Sequence, residues 1–262
     1  MRIRTRPTSL AFLALVAGAC SDAGPSNLSQ MSFNVATHAS AAATAGASLA
    51  VVGTPETFTD GTNTLVLTKV ELVMREIELR RAGATTDCSV DIGNDCEELE
   101  LGPVLVDLPL GTAGATRSFS VQLTPGSYDK VEFKLHSSTS SSDDGFVQAN
   151  PDLQGHSVRV TGTYNGADFV YTGDFEAEME FELNPPIVAG ETGATDLTLM
   201  VNLDGWFRDQ GGALLDPATA NPGQANQGLV EQNIKSSLET FEDDDHDGRH
   251  DHGGADDGIP HQ

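Results

Sequence analysis

Val158-Arg159-Val160-Thr161-Gly162-Thr163-Tyr164, then Asn165-Gly166, then Ala167-Asp168-Phe169-Val170-Tyr171-Thr172-Gly173: this stretch decides the fold class. Asn-Gly between two alternating runs is the strongest short-range hairpin signal, because a two-residue turn needs φ > 0 at both central positions and these residues reach it most readily. The reading places strands over Val158 to Tyr164 and from Asp168 onward. Past the turn, Phe169, Tyr171, Phe175, Ala177, Met179, Phe181 and Leu183 keep one parity across Gly173. That parity predicts one long strand or two collinear ones, ended by Pro185-Pro186, since proline cannot donate to a ladder.

The same two-residue period extends outward in both directions. Val131, Phe133 and Leu135 alternate with Glu132, Lys134 and His136 in a strand over Tyr128 to Leu135, opened by the turn Thr124-Pro125-Gly126-Ser127. Further strands fall at Met31 to Val35, from Thr64 onward, at Leu99 to Leu108 and Phe119 to Leu123, and through Leu197, Leu199, Val201 and Leu203. Val70, Leu72 and Met74 share one parity and Ile77 and Leu79 the other, which predicts a bulge near Arg75. Helical spacing also fits Val70 to Ile77, but every neighbouring segment carries the strand period. The small-residue stretch from Ala36 to Ala50 fits both a linker and a strand. Only Gly228 to Phe241 reads as helical. These strands predict a mainly β fold, an antiparallel β-sandwich over residues 31–225, followed by one C-terminal helix (226–241) and a disordered acidic, His-rich tail (242–262).

The first twenty residues carry an address. Arg2, Arg4 and Arg6 precede an apolar run from Leu10 to Val16 and the small residues Ala17-Gly18-Ala19. Leu15-Val16-Ala17-Gly18-Ala19-Cys20 resembles the bacterial lipobox, with Ala17 in place of the preferred leucine. That resemblance implies cleavage of a signal peptide (1–19) and acylation of Cys20, on a tether of residues 20–30. Ser21 replaces the aspartate that retains lipoproteins in the inner membrane, so the expected location is the bacterial cell envelope, at the outer membrane. Taking three arginines from 14 leaves 11 basic residues against 39 acidic ones, and the formal charge goes from -25 to -28. Such a field repels nucleic acid and anionic head groups. No other apolar run approaches the roughly 18 residues of a membrane span.

Thr68-Lys69-Val70-Glu71, Gly102-Pro103-Val104-Leu105-Val106-Asp107-Leu108-Pro109 and Pro125-Gly126-Ser127-Tyr128 together resemble an uncharacterised family of bacterial lipoproteins of unknown function. The Pro-Gly-x-Tyr turn itself is similar to prealbumin-like, immunoglobulin-like and carboxypeptidase-regulatory-like β-sandwiches. The resemblance covers roughly residues 31 to 242, implies a sandwich and an envelope location, and brings no catalytic residues.

Once Cys20 carries lipid, Cys88 and Cys96 remain as a pair in an oxidising compartment. So short a loop predicts a disulfide that contributes at most about 2.5 kcal/mol and staples a hairpin tip. Asp243, Asp245, Asp247 and Asp251, with Gly248 at the turn, match the spacing of a calcium loop but lack the bidentate twelfth ligand. The expected affinity is weak, about 10⁻⁴ to 10⁻³ M. His246, His250, His252 and His261 add promiscuous chelating capacity to a segment that otherwise reads as solvated acid, whereas His38, His136 and His156 read as surface or turn residues. Asp174, Glu176, Glu178, Glu180 and Glu182 fall on one face of the long strand. With 11 cations in the mature chain, full pairing is not expected, which makes this face either solvated or a docking surface for a cationic partner or divalent metal. Trp206, Phe207 and Phe146 are core residues or a sugar-stacking platform, and Ser137 to Ser142 with Asp143-Asp144 is a polar loop. No nucleophile elbow, zincin motif or phosphate loop is present. The expected function is a lipid-anchored, non-catalytic binding or structural module, or alternatively a carbohydrate- or divalent-metal-binding accessory lipoprotein.

Overall fold

One strand organises the larger sheet. β3 (Thr64–Arg81) is 18 residues long, about 60 Å of extended chain, and carries different partners along each edge. The computed structural model describes residues 28–37, 54–84, 96–111, 116–139, 143–190 and 194–242. β2 (Glu56–Thr59) and then β4 (Cys96–Asp107) pair with one edge of β3. The other edge takes β7 (Val158–Tyr164) and then β6 (Gly126–Leu135), end to end. β8 (Ala167–Gly173) flanks β7, and β9 (Ala177–Ala189) flanks β6. β8 and β9 are therefore collinear, interrupted at residues 174–176.

The interruption lies level with a register shift in β3 between Met74 and Glu76, the bulge expected from the parity change. An extra residue in one strand bends it and re-aims a side chain. Arg75 accordingly reaches Asp143, with Nη2 to Oδ1 at 3.0 Å and Nη1 to Oδ2 at 3.3 Å.

The second sheet runs in the order β11 (Leu238–Glu242), β10 (Ala194–Val201), β1 (Ser29–Ala36), β5 (Thr116–Leu123). β1 and β10 are parallel, and every other pairing among the described strands is antiparallel. The core between the sheets uses the parity read from the sequence: Met31, Phe33, Val35, Leu197 and Leu199 of the smaller sheet and Val131, Phe133 and Met179 of the larger one are all buried. Phe33 stacks on Phe119 at 4.9 Å and meets Phe133 edge-on at 5.4 Å, an aromatic bridge between the layers. Beyond the smaller sheet, the 202–237 segment covers β8: Phe207 packs edge-on against Tyr171 at 5.3 Å, and buried Trp206 donates its indole N–H to Ser237 Oγ.

The Asn165-Gly166 turn has φ of 52° and 82°, as the hairpin reading requires. Asn165 also accepts from the Thr64 amide and donates to Asn63 Oδ1, tying this turn to the β2–β3 turn. At the Pro-Gly-x-Tyr turn, Tyr128 is buried and its hydroxyl donates to the Thr124 carbonyl at 2.6 Å.

Three expectations differ, and one open alternative is decided. Pro185-Pro186 does not end the long strand: β9 continues to Ala189 through a cis Asn184-Pro185 bond, and its register with β6 jumps from Lys130↔Glu182 to Tyr128↔Ile187, so neither proline is asked for a ladder N–H. The C-terminal helix, α2 (Gln227–Lys235), is shorter than read, and the apolar residues Leu238 and Phe241 belong to β11 instead. β2 and a six-residue helix, α1 (Asp144–Ala149), were not expected. Trp206 and Phe207 are core residues with no exposed ring face, so they form no sugar platform.

Candidate functional site

The outward face of the larger sheet holds the charge. Outward positions of β3, β6 and β9 fall into three cross-strand rows: Glu76, Lys134 and Glu178; Glu78, Glu132 and Glu180; Arg80, Lys130 and Glu182. Register continues the first two rows onto Glu100 and Glu98 of β4. The middle row thus aligns glutamates on four adjacent strands. Like charges directly opposite one another destabilise a sheet unless something compensates.

Lys134 supplies the compensation. Its Nζ lies 2.7 Å from Glu78 Oε1, 3.2 Å from Glu76 Oε1, and 3.7 Å from both Glu132 Oε1 and Glu178 Oε1. Four carboxylates therefore surround one ammonium group. Burial opposes the charge on Lys134, but the hydrogen bonds to Glu78 and Glu76 outweigh it and hold the amine well above the usual lysine range. Glu78 and Glu132 are each only 6% exposed although they point outward, because neighbouring side chains cover them. Burial pushes the pKa of both upward; a hydrogen bond with Glu76 adds to this at Glu78, and the charge of Glu78 adds to it at Glu132. Two carboxyl groups can hydrogen-bond only if one carries a proton. Glu78 Oε2 and Glu132 Oε1 have no hydrogen-bond partner among the described residues.

Toward the margin the carboxylates open to solvent. Glu178, Glu180 and Glu182 are 65%, 53% and 67% exposed, and reach Lys134, Lys130 and Arg80 respectively. Glu176 meets His136 Nδ1 at 2.9 Å, and a cavity of about 250 Å³ opens between Lys134, His136, Glu176 and Glu178. As the shortage of cations predicts, pairing is incomplete: Glu178, Glu180 and Glu182 reach cations and Glu176 reaches His136, but Lys134 is shared among four carboxylates. Asp174 belongs to the break between β8 and β9.

The remaining sequence-derived sites fall differently. Cys20, Cys88, Asp243, Asp245, Asp247, Asp251 and the tail histidines lie outside the described residues, and Cys96 opens β4 opposite Arg80. Asp143 anchors its loop to Arg75. Phe146 sits half-buried on α1. His156 is a half-buried turn residue whose pKa burial pushes down. Sequence reasoning missed the glutamate row across strands. Its signal was the outward Glu78 and Glu132, visible once each strand's parity is known, but alignment of the two required the register.

Among the described residues, no three His, Cys, Asp or Glu side chains converge at the spacing of a metal site, and no helix is long and apolar enough to cross a membrane. Comparison of the chain with protein-family models, curated proteins and solved structures returned no match.

Proposed function

We propose that this is a lipid-anchored protein of the bacterial cell envelope, held at the outer membrane through Cys20, and that it acts as a non-catalytic binding module. The sandwich is the scaffold, and the outward face of the larger sheet is the surface it presents. One observation carries the binding reading: a glutamate row across β3, β6 and β9, Glu78, Glu132 and Glu180, in which Glu78 and Glu132 share Lys134 and each keep a buried carboxylate oxygen without a hydrogen bond. The lipobox-like residues and the strongly acidic balance support the location and argue against nucleic acid as a partner. The likeness of three segments to a bacterial lipoprotein family supports the same reading.

Two measurements test it. Cys20→Ala should shift the chain from the outer-membrane fraction to a soluble or uncleaved form; unchanged partitioning removes the anchor. In cells, a photo-cross-linking residue at position 180 should give a discrete adduct that one at exposed Asp168 does not. Identical adduct patterns from both positions would sink the assignment of this face.

A further inference from the structure

The exposed carboxylates follow a strand repeat. Glu178, Glu180 and Glu182 occupy alternate positions of β9 and so stand about 7 Å apart along its length. Their strand is marginal: β9 pairs with β6 on one side and with no strand on the other among the described residues. An extended peptide presents alternate side chains with this same repeat, so cations at every second position would fall in register with the three carboxylates.

We propose that the N-terminal half of β9, Ala177 to Leu183, docks an extended basic segment of another protein, with Lys or Arg at alternate positions aligned to Glu178, Glu180 and Glu182. This rests on the binding-module reading above and names its partner class. Behind the exposed carboxylates, the buried Glu78 and Glu132 keep oxygens without hydrogen bonds, so the cations of β3 and β6 do not exhaust the face. Cations supplied from outside would meet the solvent-facing oxygens of Glu178, Glu180 and Glu182, which are 65%, 53% and 67% exposed despite their contacts with Lys134, Lys130 and Arg80. Linear placement excludes a single metal ion as the matching ligand and suits an extended polycation. Pro185 and Pro186 bound the docking stretch, because neither can donate an N–H to an incoming strand.

Charged residues and prolines on a marginal strand also guard against edge-to-edge aggregation, and the experiment separates the two roles. Two ten-residue peptides with five lysines each are titrated into the full mature chain, one alternating Lys and Thr, the other with its lysines in one block. Docking requires the alternating peptide to bind about tenfold or more tightly than the block isomer. It also requires slowed hydrogen exchange at β9 amides, and a comparable loss of affinity in Glu178→Gln/Glu180→Gln/Glu182→Gln with an unchanged far-UV spectrum and melting profile. Equal affinities for the two isomers would mean diffuse charge attraction, and no binding would mean a guarded edge; either overturns the proposal. Protection appearing on another face overturns it too, while leaving the binding-module reading intact.

Discussion

Replacing Lys134 by methionine keeps most of the side-chain volume and removes an ammonium group that lies within 4 Å of Glu76, Glu78, Glu132 and Glu178 together. Removing one partner of a buried ion pair costs about 3–5 kcal/mol. Lys134 is 22% exposed and Glu178 65%, so solvent screens part of that loss, leaving about 2–3 kcal/mol at pH 8. Acid should shrink the loss. Glu78 and Glu132 already have raised pKa values, and without the lysine they rise further, so the folded state binds protons that the unfolded chain does not. A carboxyl raised in the folded state contributes stability that is complete below the unfolded value of 4.5 and is lost as pH rises through the folded one. The variant's stability should therefore fall with pH more steeply than the wild type's, by up to about 1.4 kcal/mol per pH unit for each extra proton held. At pH 5 the difference between the proteins should shrink to about 1 kcal/mol. Urea titrations at pH 5 and 8, followed by the fluorescence of the single tryptophan, buried Trp206, measure this directly. Equal losses at both pH values would refute the picture of four carboxylates sharing one tethered cation.

Three further outcomes follow from geometry. Gly162→Ala should destabilise by about 2–3 kcal/mol, because a Cβ there would lie 1.9 Å from the Val66 carbonyl oxygen and β3 and β7 would have to separate; chemical denaturation measures the loss. Arg75→Ala removes the cation from Asp143, whose side chain is 1% exposed and keeps the Thr139 amide as a donor, at a cost of about 2–3 kcal/mol, and Arg75→Ala/Asp143→Ala should recover part of it in a double-mutant cycle. Burial lowers the His156 pKa, so the folded state resists a proton that the unfolded chain accepts: stability should fall as pH drops below 6.5, and His156→Gln should flatten that limb of the pH–stability curve.

How far the fold was legible depended on how locally each signal is encoded. Asn165-Gly166, the parity of Phe169 to Leu183 and the parity change around Arg75 are set by nearest neighbours, and the structure reproduces all three. Tertiary context decided the rest. Pro185-Pro186 stops a strand in regular register but not one whose register jumps there, and no local pattern says where a jump will fall. Leu238 and Phe241 fit the helical stripe of the preceding residues, yet pairing with β10 draws this end of the chain into the smaller sheet. β2 is only four residues, too short for alternation to register.

The candidate site was legible along one strand and illegible across strands, and the difference is physical. Alternation over residues 176–182 exposed the stripe, and composition gave the shortage of cations but not where the few would stand, because it averages them over the chain. Folding does not average: Arg80 and Lys130 stand in the row of Glu182 and Lys134 in that of Glu178, and Lys130 reaches Glu180 on the diagonal. The unmet demand moved inward to Glu78 and Glu132, which no count of charges could single out. Lys134 lies nearer the covered Glu78 and Glu76, at 2.7 and 3.2 Å, than the exposed Glu178 at 3.7 Å, so the strongest pairing is inside the face, where desolvation makes an unpaired charge most costly, and the weaker pairing is left to the margin, where water screens it.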